Sequence, residues 1–216
     1  MTDIHAGVLP WAQTSSGGAV DLTAPLTSQI ILTDISIALA RLPRFNGQTV
    51  RLAPWSVAQH CLLVMKLLPG GLPALDRLAV LLHDAHEAYV GDWITPLKRA
   101  VKKLLKEKDC SYDPLEDIAN RLQSVIHSAF LLPYPLTTEL QDLINKVDLQ
   151  ACAIEKTAIM AVEPRTWGFD TTVPVEYKGL MLDVREEALQ QRQTLDVAYE
   201  FTQLVLRLLR ERHGVG

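Results

Sequence analysis

Apolar residues recur at helical spacing along most of the 216-residue chain, and proline and glycine mark the ends of these stretches. Ile35, Leu39 and Leu42 show the spacing, whereas the alternating pattern of strands is nearly absent. Such stretches indicate amphipathic helices that bury their apolar faces against one another. The sequence therefore predicts an all-α fold of about seven helices, which cover residues 33–42, 54–68, 75–90, 96–108, 113–130, 137–162 and 183–213.

Size and composition favour one domain preceded by an arm. Hydrophobic residues make up 48% of the chain, enough for a substantial core, while residues 1–32 mix glycine and proline with polar residues. We therefore expect an irregular N-terminal arm over residues 1–32 and a single helical domain over residues 33–216. The net charge of -4, from 25 acidic and 21 basic residues, argues against a disordered polyelectrolyte and against a generally basic nucleic-acid binder.

The sequence also carries indications of where the protein works. No apolar run approaches the roughly 18 residues of a membrane span, and the first residues lack the basic and apolar regions of a signal peptide. Cys61, Cys110 and Cys152 are odd in number and widely spaced, which fits neither a disulfide framework nor a zinc finger. We expect buried thiols in a cytoplasmic protein that binds no membrane.

Titratable residues cluster at the end of the predicted helix 75–90. At about 100° per residue, His83, Asp84 and Glu87 fall on one face of a helix that is otherwise apolar. A buried His–Asp pair with a further carboxylate is costly unless another group compensates the charge. The alternative is a hydrogen-bonded core pair, but a divalent metal ion is the simplest compensation.

Two other apolar helices each contain a polar residue that suits a metal site. His60 lies within the predicted helix 54–68, and Asp148 within 137–162. Together with His83 and Asp84 they make a set of two imidazoles and two carboxylates, which neutralises a dication and leaves room for water and substrate. A mixed nitrogen and oxygen set of this kind accepts Mn, Co, Fe, Zn, Ni or Mg.

The order of these residues, a His, then a His-Asp pair, then a distant Asp, resembles the HD-domain superfamily of metal-dependent phosphohydrolases. The likeness extends over about residues 34–155 and is sharpest to bacterial 5′-deoxynucleotidases and phage deoxynucleoside triphosphohydrolases. An Arg followed by an aromatic residue, here Arg44-Phe45, precedes the first metal-binding His in those enzymes. The main motif reads His83-Asp84-Ala85-x-Glu87-x-x-x-Gly91-Asp92-x-x-Thr95-Pro96-x-Lys98.

The resemblance implies a helical bundle of the HD-domain type that binds one divalent metal ion. It assigns the metal to His60, His83, Asp84 and Asp148. It places Glu87 and Asp92, as catalytic residues, near the attacking water, and it gives substrate binding to Arg44, Phe45 and Lys98. Relatives that select deoxyribose often have Trp where this chain has Phe45, so the sugar preference is open. Glu87 and Asp92 could also be solvated helix-end acids, and Lys98 could belong to a solvated basic face.

The implied activity is hydrolysis of the 5′-phosphate of (deoxy)nucleoside monophosphates by attack of a metal-bound water. One alternative uses the same site to release triphosphate from a deoxynucleoside triphosphate, and another is a non-catalytic scaffold that binds a nucleotide as a regulator. The expected partner is a nucleotide substrate and not a nucleic-acid polymer, and the resemblance allows a homodimer.

Overall fold

The computed structural model describes residues 9–51 and 53–212, and these confirm the all-α prediction. Residues 1–8 of the predicted arm, and His213 at the end of the last predicted helix, lie outside this range. In the described residues, no helix is both long enough and apolar enough to cross a membrane. The helices are α1 (Leu32–Arg41), α2 (Val57–Lys66), α3 (Ala74–Leu81), α4 (Glu87–Val90), α5 (Thr95–Glu107), α6 (Pro114–Ala129), α7 (Thr138–Ile159), α8 (Lys178–Gln190) and α9 (Thr194–Arg212).

The predicted helix 75–90 is in fact two helices, α3 and α4, joined by a turn at residues 82–86. In this turn the backbone bonds tighten to i→i−3, as from the Ala85 N–H to Leu82 O at 3.0 Å. The Gln123 side chain of α6 stabilises the break, because its amide donates to Leu82 O at 2.8 Å and its carbonyl accepts from His86 N at 3.3 Å. His83 and Asp84 therefore lie in a turn, and not on a regular helix face as predicted.

The predicted stretch 183–213 is also divided, into α8 and α9. Gln191 has a φ of 51°, a left-handed conformation that ends α8. Arg192 then forms ion pairs with Glu187 of α8 and Glu200 of α9. These two divisions account for the nine α-helices among residues 9–51 and 53–212, in place of the predicted seven or so.

The arm contains a short antiparallel hairpin, β1 (Trp11–Gln13) and β2 (Ala19–Asp21). Its turn is attached to α1 through the buried side chain of Asp34. The Asp34 carboxylate accepts hydrogen bonds from Ser15 Oγ at 2.7 Å, Ser16 N at 2.8 Å and Ser16 Oγ at 2.7 Å. Part of the segment predicted to be irregular is therefore ordered by contact with the helical domain.

We expect Asp34→Ala to lower the free energy of unfolding by about 1–3 kcal/mol, because three hydrogen bonds to a buried carboxylate are lost. Burial alone would raise the pKa of Asp34, but the bonds from Ser15 and Ser16 outweigh it and lower the pKa. The contribution of ionised Asp34 to the free energy of unfolding is therefore fully present above about pH 4 and is lost as the pH falls through the lower pKa of the folded state. Urea unfolding at pH 7 and at pH 3 measures it, with the exposed Asp142→Ala as control. Equal stability of the two variants at pH 7 would contradict the role of Asp34.

The helix α2 lies at the centre of the fold. It contacts α1, α3, α7 and α9, and its residues contribute to both clusters of buried apolar side chains. Its first turn is closed by a capping box in which Ser56 and Gln59 exchange hydrogen bonds. Cys61 is buried there and Cys152 is half-buried, but Cys110 is exposed in the loop after α5, so the prediction of three buried thiols is wrong for Cys110. The central position of α2 holds His60 fully inside the protein.

Candidate metal centre

Three of the predicted metal ligands lie together where α2 faces the 82–86 turn. His60, His83 and Asp84 each offer a ligand atom, and these atoms lie within 4.8 Å of one another. Asp84 Oδ2 is 3.1 Å from His83 Nε2 and 3.8 Å from His60 Nε2. The group can hold a metal ion.

The Nδ1 atom of each imidazole, on the side away from Asp84, contacts an oxygen atom of the protein. His83 Nδ1 is 2.8 Å from Val80 O, and a carbonyl can only accept, so Nδ1 carries the proton. His60 Nδ1 is 2.8 Å from the buried Glu155 Oε1. Both Nε2 atoms are buried, and within the described part of the chain neither meets the geometry of a hydrogen bond, although a carboxylate oxygen lies 3.0 Å from His60 Nε2 and another 3.1 Å from His83 Nε2. In the neutral rings these atoms present lone pairs toward Asp84, which is what a metal ion requires of histidine.

Asp148, the fourth predicted ligand, lies on the open side of this group. Its Oδ1 is 3.0 Å from His60 Nε2, and 39% of its side chain is exposed. Burial would raise the pKa of Asp148, but the neighbouring His60 lowers it, so the carboxylate is ionised. The structure therefore brings all four predicted ligands into contact, with three in the enclosed group and Asp148 at its mouth.

The site concentrates negative charge around the two imidazoles. Burial and the Arg44 charge lower the pKa of His60, but Glu155 and Asp148 outweigh them and raise it to about 10. Burial would raise the pKa of Asp84, yet the His83 charge holds it well below its ordinary value. A proton on His60 thus compensates the carboxylates, and a metal cation would take over that compensation.

Glu155 belongs to the candidate site but is not among the residues that the sequence predicted. It is fully buried on α7 and accepts hydrogen bonds from Trp55 Nε1 at 2.9 Å and from Arg44 Nη2 at 3.1 Å, besides contacting His60. Burial would raise the pKa of Glu155, but the charges of Arg44 and His60 lower it. A signal existed, because Glu155 follows Asp148 by two helical turns on the same face of an apolar helix.

Arg44 and Phe45 form a turn beside α7. Arg44 is buried, and both its Nε and Nη2 donate to Glu155 Oε2, at 3.3 and 3.1 Å. Phe45 has a φ of 56°, a strained conformation for an aromatic residue, and its ring centre lies 5.3 Å from Arg44 Cζ. Glu155 therefore links Arg44 to His60. The sequence predicted that Arg44 binds phosphate, but it did not predict this contact.

The two predicted catalytic acids, Glu87 and Asp92, lie close enough to Asp84 of the candidate metal centre to interact with its charge. Glu87 is only 4% exposed, and its Oε2 has no hydrogen-bond partner among residues 9–51 and 53–212. Burial, followed by the charges of Asp84 and Asp92, raises the pKa of Glu87 well above its ordinary value. Burial and Asp84 likewise raise the pKa of Asp92, against the charge of Arg44. Lys98 is exposed on α5 and lines the same cavity as Glu87.

His86 and His127 both contact Gln123. His86 Nδ1 lies 3.1 Å from Gln123 Oε1, and His127 Nε2 lies 2.9 Å from Gln123 Nε2. The other ring nitrogen of His127 contacts Pro133 O at 2.9 Å. With both of its nitrogens engaged, His127 offers no lone pair to a second metal.

No family model matches the chain. It is 34% identical over 180 residues to an uncharacterized protein of Rhodobacter capsulatus, RCAP_rcc00048, in a match that covers 81% of this chain and 87% of that protein. It is also 32% identical over 117 residues to the uncharacterized protein YfdR of Escherichia coli K12, covering 53% of this chain and 56% of YfdR. The chain belongs to the same family as the Rhodobacter capsulatus protein RCAP_rcc00048.

Proposed function

We propose that this protein is a metal-dependent phosphohydrolase of the HD-domain superfamily that removes the 5′-phosphate from deoxynucleoside monophosphates. The observation that carries the proposal is the convergence of the buried His60 and His83 Nε2 atoms on the Asp84 and Asp148 carboxylates, at 3.0–3.8 Å and without hydrogen-bond geometry. A purely structural His–Asp cluster would be expected to satisfy these nitrogens.

The donor set suits a divalent ion. His60, His83, Asp84 and Asp148 supply two neutral nitrogens and two carboxylates, which balance a charge of 2+ and accept Mn, Co, Fe, Zn, Ni or Mg. When bound, such an ion supplies Lewis acidity and makes water a usable nucleophile near neutral pH. The contacts of His60 with Glu155 and of His83 with Val80 O fix the ring orientations that this binding needs.

The remaining residues have roles in proton transfer and charge. Glu87 is buried beside Asp84, and its raised pKa suits a carboxylate that takes a proton from the attacking water. Asp92 lies near enough to interact with Glu87 and can orient the same water. For the phosphate, Lys98 is the accessible cation, whereas Arg44 already pairs with Glu155. Arg44 and Phe45 remain proposed substrate contacts.

We expect Glu87→Gln to reduce turnover by about 10²–10⁴-fold, since an amide cannot accept the proton. The bound metal should remain, because Glu87 is not in the ligand set. Metal content by mass spectrometry and phosphate release measure the two effects separately, and Glu139→Gln, an exposed acid on α7, is the matched control. Loss of metal in Glu87→Gln would show that Glu87 is a ligand and not a proton acceptor.

The decisive experiment is product analysis on metal-stripped protein. Mn, Co, Mg and Zn are added back singly against deoxy and ribo mono- and triphosphates. Orthophosphate from monophosphates would support the proposal, and tripolyphosphate from a triphosphate would replace it by the triphosphohydrolase alternative. No product from any nucleotide, with metal bound, would overturn the enzymatic proposal in favour of the regulatory scaffold.

A further inference from the structure

The turn at residues 82–86 carries two of the four candidate metal ligands, His83 and Asp84. Its internal bonds are i→i−3 bonds, such as those from the Ala85 N–H to Leu82 O and from the Glu87 N–H to Asp84 O, both at 3.0 Å. Bonds of this kind have poorer geometry than those of an α-helix and extend over only a few residues. The positions of the two ligands therefore depend on contacts from outside the turn.

One side chain of α6 contacts both ends of this turn. Gln123 Nε2 donates to Leu82 O at 2.8 Å, and Gln123 Oε1 lies 3.3 Å from His86 N and 3.1 Å from His86 Nδ1. Leu82 directly precedes His83, and His86 follows Asp84 by two residues. Gln123 is buried, so water does not readily replace these bonds. The two contacts hold the backbone on either side of the candidate ligands.

The orientation of the Gln123 amide follows from its contact with His127. His127 Nδ1 lies 2.9 Å from Pro133 O, and because a carbonyl can only accept, Nδ1 carries the proton. Burial lowers the pKa of His127 despite this bond, so the ring is neutral and its Nε2 presents a lone pair. Gln123 Nε2, at 2.9 Å, therefore donates to it. Both amide hydrogens thus have acceptors, Leu82 O and His127 Nε2, and the amide oxygen faces His86.

We infer that Gln123 is a positioning residue of the candidate metal centre, an inference that rests on the function proposed above. A chain of hydrogen bonds leads from Pro133 O through His127 to Gln123, and from there to the turn. Gln123 acts on the backbone of the turn and not as a ligand. It holds the geometry in which Asp84 Oδ2 lies 3.1 Å from His83 Nε2.

The contacts at this position require an amide. Glutamate has nearly the same shape as glutamine, but an ionised carboxylate has no N–H and would place an oxygen against Leu82 O and the His127 lone pair. A protonated carboxyl could donate to only one of these two acceptors. Gln123→Glu therefore removes the bonds that hold the turn while it changes the volume of the side chain very little.

A role in stability alone is the competing explanation, because any buried, hydrogen-bonded side chain contributes to folding. A residue that only stabilises the fold leaves the ligand geometry intact in molecules that are folded, whereas a positioning residue does not. Val184→Ala is the matched control. It truncates a buried side chain on α8, which packs against α7, and it leaves α6 and the turn unaltered.

We expect Gln123→Glu to weaken the binding of Co by at least about tenfold, in the 10–100-fold range that the loss of an outer contact costs. Calorimetric titration of the metal-stripped protein measures this affinity. The visible absorption of bound Co reports its ligand geometry, and it should change in Gln123→Glu but not in Val184→Ala. His127→Phe, which gives the amide no acceptor, is the second variant in case Gln123→Glu fails to fold, and it should show a smaller change in the same direction.

The possible results separate this role of Gln123 from the hydrolase proposal. Unchanged Co affinity and absorption in the folded variants, or equal changes in Val184→Ala, would overturn the positioning role and leave the hydrolase proposal standing. Altered Co binding in Gln123→Glu alone would support the role even if no nucleotide were hydrolysed, in which case the hydrolase proposal alone would fall. Absence of Co binding by the unsubstituted protein would overturn both.

A second measurement needs no metal. The nitrogen chemical shifts of the His127 ring, measured by NMR on the metal-stripped protein, distinguish the two neutral tautomers. We expect the proton on Nδ1, because Pro133 O accepts from it. A proton on Nε2 would reverse the direction of the bond to Gln123 and would overturn the amide orientation on which the positioning role depends.

Discussion

Asp84→Ala is expected to lower the affinity for a divalent metal ion by more than about 100-fold, beyond the 10–100-fold cost of losing an outer contact of a metal ligand. Asp84 Oδ2 approaches both imidazoles, at 3.1 Å from His83 Nε2 and 3.8 Å from His60 Nε2. Without it, the two histidines keep their lone pairs but lose the charge that balances the ion between them. Phosphate release from nucleotides should fall in proportion to metal occupancy.

Titration of the metal-stripped protein with Mn or Co, followed by calorimetry, measures this affinity directly and does not depend on the substrate. Asp76→Ala in the first turn of α3 is the matched control, since it removes a carboxylate eight residues earlier in the chain. Full metal affinity in folded Asp84→Ala would show that Asp84 is not a metal ligand and would contradict the proposed site. A loss of affinity in the Asp76→Ala control would mean that bulk charge, and not ligation, is being measured.

The sequence predicted most of the helices and picked out the residues that meet at the candidate metal centre, because both depend on local pattern. Apolar spacing located α1, α2, α6 and α7 to within a few residues; α6, for example, begins at Pro114 with Asp113 as its N-cap, where residue 113 was the predicted start. The ligand types could be found since His60 and Asp148 are polar residues in otherwise apolar helices. Their proximity depends on the tertiary structure, in which His60 Nε2 lies 3.0 Å from Asp148 Oδ1.

What the sequence did not predict depends on partners that are distant in the chain. The turn at residues 82–86 is stabilised by Gln123, whose side-chain amide donates to Leu82 O. The sequence of the turn itself does not indicate this contact. The role of Glu155 depends on Arg44, which lies 111 residues earlier. Helical spacing alone could have placed Glu155 on the Asp148 face, but not in contact with His60 Nδ1.

Glu155→Gln is expected to lower the free energy of unfolding by about 3–5 kcal/mol, because it leaves Arg44 buried without its counter-charge. Glutamine can keep an oxygen for Trp55 Nε1 and His60 Nδ1, which both contact Oε1, while its NH₂ group takes the place of Oε2 against the guanidinium. Metal affinity should also fall, by about 10-fold, because a neutral amide makes His60 less basic than a carboxylate does. Urea unfolding and metal titration measure the two effects.

A double variant separates the two roles of Glu155. In Arg44→Met/Glu155→Gln the uncompensated guanidinium is gone, so stability should recover in part, as when a buried ion pair is replaced as a whole. Metal affinity should remain low, because the carboxylate behind His60 is still absent. Recovery of stability without recovery of metal affinity would therefore show that Glu155 positions His60 as well as stabilising the fold. If stability and metal affinity recovered together, Glu155 would act on the site only by holding the fold, and the orientation of His60 would have to come from its burial on α2.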